Sequence, residues 1–357
     1  MTQETYLSKQ MNRKVLLGMS GGIDSSVAAI LLLQQGYEVI GVTFRFLPPE
    51  TTAIAEQKAS SLAKKLGIKH FIHDAQQQFS NQIIDYFATE YLKGKTPFPC
   101  TECNRTMKWP LLFELAEQHQ CHFVATGHYA NITHEDNTHH ITQAIDTDKD
   151  QSFFLWPLLN MPIERILLPL GPYTKQEVIQ IAKKHGFQSH TQQKESTGIC
   201  FCKGDYRNFL TTWAQHKNIT IPQGIFTDEN GKFMAHHKGY PYFTVGQRRG
   251  FGTQFNQALY VKEIHPEYNQ VVLAPHTSLF KHQFTIKNCL FPHKHLATYP
   301  QLWVKIRYRK QATPCHILLQ DNHTAQIYLN EPLDAIAPGQ TAVFYIKNQL
   351  VGGGFIF

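Results

Sequence analysis

One segment constrains the fold of this 357-residue chain above all others: Ser20-Gly21-Gly22-Ile23-Asp24-Ser25. It follows a short apolar run at residues 15–17 and opens a helix-like stretch at residues 26–35. Adjacent glycines permit a tight turn with outward-facing backbone amides, and a helix start adds partial positive charge, so the segment suits a phosphate or pyrophosphate. It is not a Walker A loop, because the Gly-Lys-Ser/Thr ending is absent. The plain alternative is a glycine-rich turn without a ligand; placement between a strand and a helix favours the phosphate.

From that loop the chain continues as alternating strands and helices. Residues 37–44 read as a second strand, residues 53–66 as a helix stopped by Gly67, and residues 70–73 as a third strand. Helical periodicity returns at residues 81–92 and near residues 107–118, and residues 122–126 form another apolar strand. Thr174-Lys175-Gln176-Glu177 is a capping box, in which hydroxyl and carboxylate each satisfy an amide at a helix start; that helix ends at Gly186. The alternation predicts an α/β fold with a doubly wound parallel sheet. Beyond about residue 208, turn signals such as Glu229-Asn230-Gly231 and short alternating runs predict a β-rich part.

Charge divides the chain in the same place. Residues 1–208 hold 20 cationic and 20 anionic side chains, whereas residues 209–357 hold 14 and 7, so the whole net charge of +7 lies in the second part. This asymmetry points to an extended anionic partner such as nucleic acid, with a solubilising surface as the alternative. Val304, Ile306 and Tyr308 alternate with Lys305, Arg307 and Arg309, which predicts a strand carrying cations on one face. That face is either a phosphate-binding strip or an ordinary solvated surface. With 12% aromatic residues the composition argues against a disordered chain. No apolar run approaches the ~20 residues of a membrane span, and residues 1–14 are polar, so a soluble, unsecreted protein is expected.

Seven cysteines, an odd number spread along the chain, argue for a reducing compartment rather than a disulfide scaffold. Cys100 and Cys103 form a Cys-x-x-Cys pair, and Cys200 and Cys202 lie close together further on. Such a pair is redox-active, metal-binding or incidental, and a zinc site here would have unusual spacing. Cys121, Cys289 and Cys315 stand alone among apolar or β residues and read as small buried hydrophobes.

Seven ordered segments make the sequence recognisable: the loop from Gly18 to Ala28, the run from Thr96 to Asn104, Ala125-Thr126-Gly127-His128-Tyr129, Asp148-Lys149-Asp150-Gln151-Ser152, Gly198-Ile199-Cys200-Phe201, the run from Thr244 to Gly250, and Arg307-Tyr308-Arg309. Together they resemble the bacterial tRNA-specific 2-thiouridylase family of PP-loop ATP pyrophosphatases, which converts C2=O of the wobble uridine, position 34, to C2=S. The resemblance covers nearly the whole chain.

It implies a PP-loop domain for ATP binding and sulfur transfer at 1–208, a central β-rich domain at 209–273 and a tRNA-binding C-terminal β-barrel at 274–357. It makes Cys103 the nucleophile and Cys200 the carrier of a persulfide, the two forming a disulfide as sulfur is released. Gly18, Met19, Ser20, Gly21, Gly22, Ile23, Asp24 and Ser25 would bind ATP, with Phe44 near the adenine and Gly127 on the nucleotide; Asp24 would help hold Mg²⁺. Phe98, Pro99 and Cys100 occupy the position that meets the target base. His128, Lys149, Asp150, Gln151, Arg307, Tyr308 and Gln340 occupy positions that touch tRNA. The implied partners are the anticodon arm of lysine, glutamate and glutamine tRNAs and a persulfide-donating protein, in the cytoplasm.

One departure stands out: many members have Asn-Pro-Asp where this chain has Phe98-Pro99-Cys100, so the role of an acid there is in question. Cys100, Cys103 and Cys200 also suffice to hold three irons of a [4Fe-4S] cluster, which is the rival to the persulfide route. Two readings from other classes are an ATP-dependent ligase acting on a small molecule and a non-catalytic tRNA-binding protein.

Overall fold

The computed structural model describes residues 13–187, 198–292, 301–321 and 323–357; most of the polar start lies outside them. The chain groups into two units, one of residues 1–82, 101–197 and 348–350, the other of residues 83–100, 198–347 and 351–357.

In the first unit a five-stranded parallel sheet has the order β3 (Lys69–Asp74), β2 (Glu38–Arg45), β1 (Lys14–Gly18), β4 (Phe123–Thr126), β7 (Ile166–Leu167). Its inner strands β1, β2 and β4 are short apolar runs because both faces are covered, and after β4 the chain makes an antiparallel hairpin of β5 (Asn131–Glu135) and β6 (Thr138–Thr142). Val15, Leu16 and Leu17 of β1 are completely buried, each such burial contributing about 1.5–3 kcal/mol. Val15 and Leu17 share a core with α1 (Ile23–Gln34), α2 (Pro49–Leu66) and α4 (Lys175–Lys184), while α3 (Trp109–Gln118) contacts β1 and β4. Gly67 ends α2 in the left-handed conformation, and the capping box at Thr174 and Glu177 is made in both directions.

β1 lies between β2 and β4, so the chain winds one way through β2 and β3 and the other way through β4 and β7. The crevice beyond the carboxyl ends of β1 and β4 is therefore the topological switch point, where open α/β sheets take their ligands.

Two predicted helices are interrupted. Residues 81–92 resolve into a π-helical stretch, Ser80–Ile84, followed by a helix at Asp85–Leu92. The helix expected near 107–118 starts at Trp109 and is preceded by a π-helical stretch, Asn104–Lys108. Hydrophobic periodicity does not distinguish i+4 from i+5 bonding over a single turn.

The second unit is mostly β, but α5 (Tyr206–His216) runs across residue 208, where helices were expected to cease. Asp205 caps it by accepting from the Arg207 amide, and Tyr206, Leu210 and Trp213 face a core with Phe87 and Tyr91. A four-stranded sheet follows in the order β10 (Tyr260–His265), β11 (Gln270–Ala274), β8 (Gly224–Thr227), β9 (Phe233–His237). Then β12 (Phe280–Leu290), β15 (Thr324–Asp334), β14 (Thr313–Leu319), β13 (Leu302–Lys305), β16 (Thr341–Ile346) and β17 (Gln349–Ile356) pair in that order, and β12 pairs with β17 to close a barrel. The strand expected over 304–309 ends at Lys305. Residues 306–310 turn instead, with the Lys310 amide donating to the Arg307 carbonyl and Arg307 Nη2 donating to the Ala335 carbonyl, 3.0 Å away.

Candidate active site

The glycine-rich segment lies at the switch point. Gly18 ends β1, the amide of buried Met19 donates to the Val42 carbonyl, and Ser20 is exposed. Gly21 has φ +71°, and an added Cβ there would run into the Ala55 carbonyl, so only glycine turns the chain at this point. Gly22 is the N-cap of α1 and supplies no side-chain cap; Ile23, Asp24 and Ser25 form the first turn. The turn is stiffened from within, since Ser25 Oγ accepts from the Ser20 amide and donates to the Gly22 carbonyl, and Ser26 Oγ also donates to Gly22. A helix start without a side-chain cap presents its amides and dipole to an anion.

Gly127 follows β4 and presses on this turn: an added Cβ would lie 2.9 Å from both the Asp24 carbonyl carbon and the Ser25 nitrogen. Phe44, near the end of β2, stacks on Phe46 with ring centroids 5.4 Å apart, and Phe46 stacks on Phe79 at 4.8 Å, a flat apolar platform of the kind a nucleobase uses.

Asp24, the carboxylate expected to help hold Mg²⁺, is matched by protein donors. Its Oδ1 accepts from Lys175 Nζ at 2.7 Å and from Tyr129 Oη at 2.9 Å. The ammonium offsets the negative charge that Asp24 would offer a cation.

Tyr129 is held in turn by Gln151, whose Oε1 accepts from the Tyr129 amide while the Gln151 amide donates to the Tyr129 carbonyl. Asp150 is buried, its carboxylate accepting from the amides of Ala144 and Ser152 and from Ser152 Oγ at 2.8 Å. Of the run expected to touch tRNA, Asp150 and Gln151 thus organise the loop that carries Tyr129, and Lys149 beside them is half-buried.

His128 is half-buried; its Nδ1 shares a 2.7 Å hydrogen bond with Thr126 Oγ1, and its ring stacks on Trp109 with centroids 6.0 Å apart. Burial first, and then the Lys108 ammonium, depress its pKa from 6.5 to about 3, so the imidazole is neutral at physiological pH.

Cys103 is buried and closes the short helix Pro99–Cys103, where the backbone passes into the π-helical stretch Asn104–Lys108. Such stretches recur at functional sites because they re-aim side chains. Nearby, Glu102 and Arg105 form a bidentate pair at 2.9 and 2.6 Å, and Asn104 donates to the Phe154 carbonyl. Thr101 Oγ1 and Asn104 Oδ1 are buried without a hydrogen-bond partner, at a cost of about 1–3 kcal/mol each.

In the second unit Pro99 is buried, Phe98 half-buried and Cys100 exposed. The segment before them is clamped: the Thr96 amide donates to the Pro338 carbonyl at 2.7 Å, and Gln340 Nε2 donates to the carbonyls of Thr96 at 2.9 Å and Pro97 at 3.4 Å. Gln340, expected on tRNA, is therefore also a brace for Phe98, Pro99 and Cys100.

Cys200 is exposed on a turn, and Tyr308 and Arg309 sit on the turn after β13. Cys202, Cys121, Cys289 and Cys315 are buried free thiols whose pKa values burial raises, to about 11 for Cys121 and Cys289 and about 12 for Cys315, so none is a ready nucleophile. Among the described residues no group of three or more His, Cys, Asp or Glu side chains is placed to hold a metal ion.

Sequence reasoning missed Lys175, Tyr129 and Phe46. The capping box marked the helix that carries Lys175, but the side chain's target lies 151 residues earlier in the chain.

Three family models match the chain: a tRNA methyl transferase HUP domain at residues 13–204, a tRNA methyl transferase PRC-barrel domain at 208–275 and an aminomethyltransferase β-barrel domain at 281–356. The tRNA-specific 2-thiouridylase MnmA 1 of Bacteroides fragilis is 47% identical, with 97% of this chain and 98% of that protein covered. MnmA 2 of Phocaeicola vulgatus is 46% identical over 97% of this chain and 99% of its own length. The 2-thiouridylase MnmA of Carboxydothermus hydrogenoformans is 37% identical over 96% and 97%.

Proposed function

The chain belongs to the tRNA-specific 2-thiouridylase family, and we propose from that premise that it replaces the C2 oxygen of a tRNA uridine with sulfur, driven by ATP. The observation that supports the mechanism is that one unit holds both an uncapped helix start at the sheet's switch point and Cys103 at the junction into a π-helical stretch.

A uridine carbonyl is a poor electrophile. Attack of its O2 on the ATP α-phosphorus forms a P–O bond and expels pyrophosphate, and O2 then departs with AMP. Mg²⁺ bound to the phosphates would supply further positive charge. A persulfide on Cys200 attacks C2. The Cys103 thiolate then attacks the Cys200 sulfur, forming a Cys103–Cys200 disulfide and leaving the terminal sulfur on C2. A thiol reductant restores both cysteines.

The proposed target is the wobble uridine of lysine, glutamate and glutamine tRNAs, splayed from the anticodon loop as single strands permit. Phe98, Pro99 and Cys100 would receive it, and the basic barrel would hold the backbone. No described helix is long and apolar enough to cross a membrane, and a cytoplasmic setting with a persulfide-donating protein suits this chemistry. A small-molecule ligase would leave Cys103, Cys200 and the barrel without a task.

Cys103→Ser and Cys200→Ser separate the steps. Both variants should release pyrophosphate in a tRNA-dependent reaction yet form no 2-thiouridine. Normal thiolation by either one refutes the two-cysteine relay.

A further inference from the structure

We infer that His70 is a positioning residue for the nucleotide turn, fixing through Thr43 the peptide unit that joins Met19 to Ser20. This rests on the reading of Gly18 to Ser25 as the nucleotide loop.

His70 lies on β3 in register with Gly41 of β2. Thr43 Oγ1 donates to the Met19 carbonyl at 2.8 Å and shares a 2.9 Å bond with His70 Nε2, while His70 Nδ1 shares a 3.2 Å bond with Ser60 Oγ of α2. A hydroxyl carries one proton and a carbonyl can only accept, so the Thr43 proton is committed to Met19. Thr43 must therefore accept from His70, which places the ring proton on Nε2. Burial lowers the His70 pKa from 6.5, so the ring is neutral at physiological pH and Nδ1 is left to accept from Ser60. The bonds thus run in one direction, from Ser60 through His70 and Thr43 to Met19.

That endpoint matters to the turn. The Met19 carbonyl and the Ser20 amide are the two edges of one planar peptide unit. The first is held by Thr43, and the second donates at 3.2 Å to Ser25 Oγ in the first turn of α1. The unit is pinned at both edges immediately before Gly21 and Gly22, whose permissive backbone would otherwise let it rotate. Met19 is also held by its amide, which donates to the Val42 carbonyl, and by its side chain over Gly41. An added Cβ at Gly41 would run into Met19 Sδ and lie 3.0 Å from His70 Cδ2. If His70 only fastened β3 to its neighbours it would be redundant: β2 and β3 already pair over residues 40–45 and 69–74, and Ala59, Leu62 and Ala63 of α2 are buried in the core. What the polar chain adds is the orientation of one peptide in the turn.

Isothermal titration of the full-length protein with ATP tests the assignment in wild type, Thr43→Val, His70→Phe, His70→Gln and the Thr43→Val/His70→Phe double variant, each beside its melting curve. Thr43→Val removes the bond to Met19 and should weaken ATP about tenfold, and His70→Phe removes the support of that bond and should cost about threefold. His70→Gln keeps an N–H donor near the place of Nε2 and should stay within about twofold of wild type. Because His70 acts through Thr43, the double variant should bind ATP no more weakly than Thr43→Val alone. If Thr43→Val does not fold, the contrast between His70→Phe and His70→Gln decides. Unchanged ATP affinity in His70→Phe overturns the inference, whatever its melting temperature, and so do additive losses in the double variant or a loss that His70→Gln fails to recover. A wild-type protein that binds no ATP defeats the proposed function itself, whereas equal ATP binding by wild type and His70→Phe defeats only the role of His70.

Discussion

Replacing Gly127 by alanine tests whether the switch-point crevice binds the nucleotide. The added methyl would sit 2.9 Å from the Asp24 carbonyl carbon and the Ser25 nitrogen, both backbone atoms that cannot swing aside. Ordinary contact begins near 3.4 Å, so the loop or the end of β4 must retreat by about half an ångström or more, and overpacking of this kind costs about 1–3 kcal/mol. No left-handed φ is required at Gly127, so the cost is one of space alone. Gly67→Ala supplies the matched control: nothing lies within 4 Å of its added methyl, but its left-handed φ of +69° imposes a strain of about 1–2 kcal/mol. Both variants should melt a few degrees lower. Only Gly127→Ala should lose ATP affinity, by about tenfold or more, and pyrophosphate release by up to ~100-fold, because displacement of a reacting group by ~1 Å costs that much. Calorimetry and a pyrophosphate assay read the two quantities. Equal ATP affinity in the two variants would refute the placement of the nucleotide at this turn.

Gln340→Ala removes the brace on Thr96 and Pro97, a loss of about 1 kcal/mol in stability, and should slow thiolation while leaving ATP affinity unchanged; a turnover assay beside ATP titration checks it. Arg309→Ala should lower the slope of log tRNA affinity against log salt by ~0.7–0.9 with an unaltered melting temperature, whereas Arg307→Ala should also cost stability through its bond to Ala335. An unchanged slope in both returns this turn to ordinary solvated surface. His128, whose folded pKa of about 3 lies below its ordinary 6.5, favours folding only while it is neutral everywhere. As pH falls below 6.5 the unfolded chain takes up a proton that the folded chain refuses, so stability declines from 6.5 toward 3. His128→Gln should flatten that part of a melting-temperature profile, and an unaltered profile counts against a neutral, half-buried imidazole.

The parallel sheet and its glycine-rich turn are legible in the sequence because their signals are local: apolar runs, the Gly21-Gly22 pair, the helix stop at Gly67 and the Thr174 capping box all act within a few residues. The contacts that give the site its character join distant parts of the chain, as when Lys175 reaches Asp24 or Gln340 reaches Thr96. No pattern along the sequence announces such a pair. The basic strand misled for a related reason. Its alternation holds through Lys305, but the chain then turns and Arg307 finds the Ala335 carbonyl, so a tertiary bond overrides a two-residue period. In α5 a helical period in Tyr206, Leu210 and Trp213 was present but masked by aromatic and threonine residues that favour strands.

The central claim is sulfur transfer to a tRNA uridine, and nucleoside mass spectrometry of tRNA incubated with the protein, ATP, Mg²⁺ and a persulfide source measures it directly. The account predicts 2-thiouridine at the wobble position, formed only when ATP is present and absent with Cys103→Ser or Cys200→Ser. Unmodified uridine under conditions in which the protein binds both ATP and tRNA, or thiolation that proceeds without ATP, would contradict it.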